Sequence, residues 1–239
     1  ADGSEAVERW QQRFEVQVPL APPFTDPRLA ASPLLLQLVR LALGPSVELD
    51  TFSHITALAG APAQPWHADV DLLFKDPGMP GLGHLPAAGL VAVVPLLNLT
   101  QALGPTEFLA GSHVSAEQWE RFEGPDAAPG GPPRLRPLPS LGSVVLFDLR
   151  TRHHGGPNLA AGPRSVLYLS YVKDWFLDRL NFRGRQSSAF DGLGGTVVQK
   201  LLRRVDARAY ISGLEAFAAG RAAEAPRPAA PFQEPGLRV

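Results

Sequence analysis

The sequence contains no cysteine. Disulfide bonds, thiolate metal sites and cysteine nucleophiles are therefore excluded. Any metal ion that this chain binds must be held by histidine, aspartate or glutamate, the ligand types that suit iron, manganese, zinc and nickel. The chain has six histidines among 239 residues, so the candidate imidazole ligands form a short set.

The sequence also lacks an excess of either charge, since 22 Lys and Arg residues face 23 Asp and Glu residues. Without a basic stripe we expect no nucleic-acid partner, and without a polybasic segment we expect no membrane partner. No apolar run approaches the ~18–20 residues of a membrane-spanning helix. Residues 1–5 do not resemble a signal peptide. We expect a cytoplasmic or organelle-lumen protein, and a monomer.

Two helices are predicted before residue 47. Residues 4–14 fit a short helix with Ser4 as its N-cap, and Leu34–Leu43 fit a buried helix that begins after Ser32-Pro33 and ends at Gly44-Pro45. From residue 47 onward, short apolar or alternating runs are separated by Gly, Pro and Asn. Such regular short strands predict a sandwich, jelly roll or barrel. The runs cover residues 47–59, 66–74, 90–99, 106–109, 143–149 and 164–173.

We expect a single domain over residues 1–221 and a Pro- and Ala-rich tail over 222–239. Two long segments, 75–88 and 124–140, are predicted loops that we expect to decide substrate choice. The domain divides into a helical N-terminal part of about 1–46, a jelly-roll core of about 47–181 and a C-terminal part of about 182–221, with helical spacing over 196–218.

A His-x-Asp pair, His67 and Asp69, is the first candidate for metal binding. Residues i and i+2 of an extended strand point to the same face, so this imidazole and carboxylate can converge on one ion. A third ligand is available downstream, where His153 and His154 are adjacent. Two histidines and one carboxylate with open coordination positions form the facial triad of non-haem Fe(II) oxygenases.

Arg164 opens the strand that follows the second histidine block. An arginine beside a metal site can hold a carboxylate through two parallel hydrogen bonds. The carboxylate in question would be that of a bound 2-oxoacid.

Four ordered motifs resemble the phytanoyl-CoA dioxygenase family of Fe(II)/2-oxoglutarate-dependent oxygenases. The resemblance covers roughly Val47 to Asn181 and implies a double-stranded β-helix, a cupin-like jelly roll that is mainly β with flanking helices. One departure is Ala110, where the family usually has a proline before Gly-Ser-His. The motifs are Gln64-Pro65-Trp66-His67-Ala68-Asp69, Gly104-Pro105-Thr106-Glu107-Phe108-Leu109-Ala110-Gly111-Ser112-His113, Asp148-x-Arg150-x-x-His153-x-Gly155-Gly156-x-Asn158, and Arg164.

The resemblance implies a role for each matching residue. His67 and Asp69 match the first two iron ligands, and His153 matches the distal histidine. Arg164 matches the arginine that binds the C5 carboxylate of 2-oxoglutarate. The spacing to Arg164 favours His153 over its rival, His154.

Three further residues are candidates for contact with the co-substrate, and each has a structural alternative. Thr106 could donate to a 2-oxoglutarate carboxylate or be an ordinary strand residue. Gln64 could orient the substrate or the C1 carboxylate, or be a surface turn residue. Asn158 occupies a family position near the site, although a Gly-Pro-Asn turn favours asparagine on backbone grounds alone.

Other polar residues are predicted to act outside the metal site. His113 in Gly-Ser-His is expected to stabilise a turn, and His54 and His84 are expected to be non-ligands. Asp148 and Arg150 are expected to pair and brace the loop that precedes the third ligand.

The resemblance implies a hydroxylase of a small molecule that uses Fe(II), 2-oxoglutarate and O2 and releases succinate and CO2. In related halogenases a small residue replaces the carboxylate ligand, so the retained Asp69 favours hydroxylation or a related desaturation or cyclisation. Two alternatives remain: a cupin-like metal enzyme that is not an oxygenase, and a catalytically silent binding domain. Arg164 argues against the first, and its presence together with an intact triad argues against the second.

Overall fold

The structure, a computed structural model, describes residues 6–19, 21–72, 85–114, 133–176 and 201. These residues include two α-helices, a 3-10 helix (Gln101–Leu103) and nine strands. In chain order the α-helices and strands are β1 (Val7–Trp10), β2 (Arg13–Gln17), α1 (Pro27–Ala30), α2 (Pro33–Leu43), β3 (Val47–Ala57), β4 (Gly89–Pro95), β5 (Thr106–Leu109), β6 (Arg134–Leu135), β7 (Val145–Asp148), β8 (His153–Gly155) and β9 (Arg164–Lys173).

The strands form two antiparallel sheets. The larger sheet has the order β1-β2-β3-β9-β4-β7, and the smaller has the order β6-β5-β8. Five of the six predicted strand runs contain an observed strand, which confirms that the described chain is mainly β. The strand neighbours are far apart in sequence, as β3 beside β9 shows, and this is the connectivity expected of a jelly roll.

Two predicted elements are wrong. Within residues 4–14, a hairpin of β1 and β2 stands where a helix was expected. Polar and apolar residues alternate strictly from Arg13 to Val18, a period of two, and β2 pairs with the edge of β3 along its length. Within 66–72, the described part of the run 66–74, His67 makes an isolated bridge to β8 but no strand forms.

Helix α2 confirms the second predicted helix, and its buried face covers the outer side of the larger sheet. Pro33 begins the helix, and Gly44, with φ of +96°, ends it by donating its backbone N–H to the Arg40 carbonyl. The buried side chains of the helix and of the sheet form one apolar cluster. It includes Leu35, Leu36, Val39 and Leu43 of α2 with Phe52, Leu167, Leu169 and Tyr171 of the sheet.

A second apolar cluster lines the inner side of the larger sheet, facing the smaller one. It joins Val91 and Val93 of β4, Phe147 of β7 and Val166 of β9 to Phe108 of β5. The two faces of β9 therefore serve different clusters. Its inner face leads into the space between the sheets, where the predicted site residues meet.

Several predictions fall on parts of the chain outside the described residues. Most of both long loops lies there, apart from β6, which forms within the segment 124–140. The C-terminal part with its helical spacing over 196–218 and the tail lie there too, except for Leu201, which is helical and buried. Among the described helices, none has the length and apolar character needed to cross a membrane.

The packing of α2 gives a paired prediction for stability. Leu43→Ala removes a side chain that is 2% exposed and should lower the free energy of unfolding by about 2–5 kcal/mol. Leu41→Ala, on the same helix but 78% exposed, should change it by less than about 0.5 kcal/mol. Urea denaturation followed by circular dichroism measures both values. Equal losses in the two variants would contradict this packing.

Candidate active site

The structure brings His67, Asp69 and His153 together. Their nearest ligand atoms all lie within 4.8 Å of one another, and His153 Nε2 is 3.8 Å from Asp69 Oδ1. Metal–ligand bonds of about 2.0–2.2 Å place two donors of one ion about 3–4 Å apart. The donor set therefore fits a single ion, and two imidazoles with one carboxylate suit iron.

Both histidine rings are oriented by backbone carbonyls. His67 Nδ1 lies 2.9 Å from the Pro65 carbonyl oxygen, and His153 Nδ1 lies 2.9 Å from that of Thr151. A carbonyl can only accept, so Nδ1 carries the proton and Nε2 keeps its lone pair in each ring. The Nε2 atoms are the ones available to a metal.

His153 lies in an apolar setting that favours its neutral form. Its ring centroid is 4.9 Å from that of Phe147 and 6.0 Å from that of Phe108. Burial lowers the pKa of His153, while the nearby carboxylate of Asp69 opposes that shift. A neutral imidazole is the form that binds a metal ion.

Tyr168 holds the carboxylate of Asp69 from the inner face of β9. Its hydroxyl donates to Asp69 Oδ2 over 2.5 Å, whereas Oδ1 faces His153. One oxygen of the carboxylate is thus fixed by a hydrogen bond and the other points toward the metal position. The sequence analysis missed Tyr168, although it shares a face with Arg164 at i+4 on the same strand.

His154 points away from the triad. Its ring packs on Trp66 with centroids 4.1 Å apart, its Nδ1 donates to the Gln64 carbonyl at 2.9 Å, and its Nε2 is 3.8 Å from Glu107. Neighbouring strand residues face opposite sides, so His153 can join the metal position only if His154 does not. His154 therefore supports, from outside the metal position, the segment that carries His67 and Asp69.

Arg164 is buried at the edge of the same space. Its Nη1 donates to the Gly104 carbonyl, and its Nε has no hydrogen-bond partner. Burial lowers its pKa to about 9, with repulsion from the nearby Arg13 as a second cause. The guanidinium remains charged at neutral pH. No residue of the described chain forms an ion pair with it.

The three secondary candidates have different outcomes. Thr106 and Gln64 line the cavity, and Gln64 Oε1 also accepts from the Gly155 N–H at 3.0 Å. Asn158 does not line it. The Asn158 amide donates to the carbonyls of Ala57, Leu58 and Gly162 at 3.0–3.1 Å, and the side chain is fully buried. These contacts favour its structural alternative, that of holding a turn.

Other predictions concern residues around the site. Asp148 and Arg150 form the expected pair, with Nε to Oδ1 at 2.9 Å and Nη2 to Oδ2 at 2.7 Å. His54 contacts Thr56 Oγ1 at 3.2 Å on the outer face of β3, and His113 lies in the turn after β5. Neither histidine lines the cavity. His84 lies outside the described residues.

A cavity of about 350 Å³ contains the metal position and Arg164. The β1–β2 hairpin contributes Arg9, Trp10, Arg13 and Glu15 to its wall. Arg13 was missed by the sequence analysis because the segment was interpreted as a helix. The alternation from Arg13 to Val18 was the signal that could have placed it on an inward strand face.

A sequence model of the phytanoyl-CoA dioxygenase (PhyH) family matches residues 5–166, well over half of the chain. The chain belongs to this family. The match includes the triad and Arg164, so the resemblance found from the motifs is confirmed. Enzymes of the PhyH family use Fe(II), 2-oxoglutarate and O2, the predicted cofactors.

Solved structures show the same fold as this PhyH-family chain. The non-haem α-ketoglutarate-dependent epimerase SnoN from nogalamycin biosynthesis matches at 24% identity and a TM-score of 0.52, over 71% of this chain and 67% of SnoN. HygX from Streptomyces hygroscopicus, solved with nickel and 2-oxoglutarate, matches at 19% identity and a TM-score of 0.56, over 85% of this chain and 83% of HygX. The non-haem monooxygenase ThoJ, solved with nickel, matches at 21% identity and a TM-score of 0.50, over 84% of this chain and 73% of ThoJ. The predicted double-stranded β-helix is confirmed.

The Tyr168–Asp69 contact predicts a change in metal affinity. Tyr168→Phe should weaken Mn(II) binding by about 10- to 100-fold, since the carboxylate loses the bond that orients it. Tyr171→Phe is a matched control on the same strand, because its hydroxyl donates instead to the Ala30 carbonyl on the other face. Calorimetric titration with Mn(II) measures both. Similar affinity in the two variants would contradict the role given to Tyr168.

Proposed function

We propose that this chain is a dioxygenase that hydroxylates a small molecule and forms succinate and CO2. The observation that carries the proposal is the position of the triad and of Arg164 in one cavity. A chelating 2-oxoacid requires two contacts, a metal position and a buried cation, and Arg164 is a buried cation that pairs with no carboxylate of the described residues. When bound, the iron and its co-substrate activate O2 for oxidation of a C–H bond of the substrate.

The side chains in and around the triad have separate roles in binding the metal, holding the co-substrate and excluding water. His67, Asp69 and His153 supply the ligands, and Tyr168 keeps Asp69 in position. Arg164 binds the distal carboxylate of 2-oxoglutarate with two of its donors. The aromatic and aliphatic residues of the inner cluster exclude water from this side of the site.

Hydroxylation is favoured over halogenation because Asp69 fills the carboxylate position. The Asp69 side chain is 18% exposed and its Oδ1 lies 3.8 Å from His153 Nε2, so its carboxylate would occupy the ligand position that a small residue leaves open for chloride in related halogenases. Epimerisation is a second candidate, since SnoN is an epimerase of the same fold. The products distinguish the two: a hydroxylated product gains one oxygen atom, whereas an epimer has the mass of its substrate.

The wall of the cavity favours a substrate with polar groups. Arg9 and Glu15 form an ion pair there, and Trp10 is 37% exposed beside them. Related structures contain substrates of this character: SnoN is solved with nogalamycin RO and HygX with hygromycin B. We propose that the β1–β2 hairpin contacts the substrate, while the metal position and Arg164 hold the co-substrate.

Two alternatives make different predictions. A cupin-like enzyme that is not an oxygenase would act without 2-oxoglutarate, and a silent binding domain would form no succinate under any condition. Arg164 argues against the first because a buried cation that lines the same cavity as the metal position suits an anionic co-substrate. The pre-oriented Nε2 atoms of both histidines speak against the second.

The proposal is tested by succinate formation from 2-oxoglutarate with Fe(II) and O2, using a library of small molecules as substrates. His67→Ala and Asp69→Ala should each abolish succinate formation, because two ligands do not hold the iron, and their circular dichroism spectra should remain those of the wild type. His54→Gln, at a histidine outside the cavity, should retain activity. Unchanged activity in both ligand variants would overturn the proposal.

A further inference from the structure

Arg13 is a buried cation with unused donors. It is 1% exposed, and its Nη2 donates to the carbonyls of Pro62 and Gly156 at 2.8 and 2.6 Å and, more weakly, to that of Gly155 at 3.4 Å. Its Nε and Nη1 atoms are buried without a hydrogen-bond partner. Leaving donors of a buried charged group unsatisfied costs free energy. The unused donors therefore indicate a ligand.

The nearest carboxylate on its own strand is already engaged. Glu15 lies on the same face of β2 as Arg13, but it pairs with Arg9 of β1. Within the described part of the chain, Arg13 forms no ion pair. Among the described residues no carboxylate neutralises Arg13, and a bound anion would supply the counter-charge.

The register of the larger sheet places Arg13 in one row with Arg164. Arg13 of β2 is opposite Ala57 of β3, and Ala57 is opposite Arg164 of β9. Residues in one such row point to the same face of the sheet. Both arginines line the cavity, and the residue between them in the row, Ala57, has a small side chain that carries no charge.

Gly155 of β8 faces this row from the smaller sheet. A Cβ on Gly155 would lie 2.9 Å from Arg13 Nη1 and 3.1 Å from Arg164 Nη2, and 2.7 Å from Gln64 Oε1. Terminal nitrogens of both guanidiniums therefore pack against Gly155, where a larger residue would clash with them, and they lie no more than about 6 Å from each other. Two guanidinium groups that meet in this way form a cradle for a single carboxylate.

The two arginines oppose each other electrostatically. Burial lowers the pKa of Arg13 to about 10, and the charge of Arg13 contributes to the lowered pKa of Arg164. Both groups stay protonated at neutral pH, so the repulsion persists in the free protein. An anion placed between them removes the repulsion and supplies the missing hydrogen bonds.

We propose that Arg13 is a second co-substrate-binding residue, which holds the distal carboxylate of 2-oxoglutarate together with Arg164. This inference rests on the proposed function, since it needs 2-oxoglutarate in the cavity. The bonds from Nη2 to backbone carbonyls give Arg13 a bracing role as well. Bracing uses one of its three nitrogens and leaves Nη1, the atom nearest the cradle, for the ligand.

The test compares two ligands that differ only at the distal end. Mn(II)-loaded protein is titrated calorimetrically with 2-oxoglutarate and with 2-oxopentanoate, in which a methyl group replaces the distal carboxylate. Arg13→Gln should weaken 2-oxoglutarate binding by about 10- to 100-fold, the loss typical of one charge-assisted hydrogen-bonded contact. Binding of 2-oxopentanoate should be unchanged.

Two further variants complete the design. Arg13→Lys keeps the charge and should lose less affinity for 2-oxoglutarate than Arg13→Gln, and it replaces that variant if the glutamine protein does not fold. Arg40→Gln, at an exposed arginine of α2, should leave both affinities unchanged.

The outcomes separate this inference from the proposed function. Equal weakening of both ligands in Arg13→Gln would show that Arg13 only braces β8, and an unchanged affinity for 2-oxoglutarate would show that it does not touch the carboxylate. Either result overturns the inference about Arg13 and leaves the proposed function standing. If the wild-type protein binds 2-oxoglutarate no better than 2-oxopentanoate, the proposed function itself fails, and the inference fails with it.

Discussion

The backbone bridge between His67 and His153 is the constraint on which the site depends. Each residue donates its N–H to the carbonyl of the other, at 3.0 and 2.8 Å, and the two rings lie 4.5 Å apart between centroids. The segment that carries His67 and Asp69 belongs to no strand of its own. The bridge therefore sets the position of the first ligand directly against the third.

Further hydrogen bonds and ring contacts reinforce the bridge. Gln64 bonds to Gly155 through both its backbone N–H and its side-chain oxygen, and Arg152 donates to the Trp66 carbonyl at 3.2 Å. His154, which does not face the metal position, packs on Trp66. These contacts connect the segment that carries His67 and Asp69 to β8 at several points. His154 is not a metal ligand, but by packing on Trp66 it helps to hold that segment in place.

The sequence was sufficient to predict the residues whose role follows from chemical type and local spacing. His67, Asp69 and Arg164 carry groups suited to a metal ion and its anionic co-substrate, although the strand predicted around His67 and Asp69 does not form. Arg13 was beyond this reasoning because its partner, Arg164, is brought beside it by the register of three strands, and register is a tertiary property. Asn158 shows the converse, since a position near the site does not reveal whether the side chain turns toward the cavity.

The distribution of charge links the fold to the co-substrate. One end of the cavity holds the triad, which carries a carboxylate and attracts a cation, and the other holds Arg13 and Arg164, which attract an anion. A molecule that chelates a metal at one end and carries a carboxylate at the other complements both ends. The sheet can place two cations in one buried row because strand pairing holds their backbones and the smaller sheet supplies carbonyl acceptors. The repulsion between the two cations in the free protein would make binding selective under the proposal, since a ligand without the second carboxylate leaves that repulsion in place.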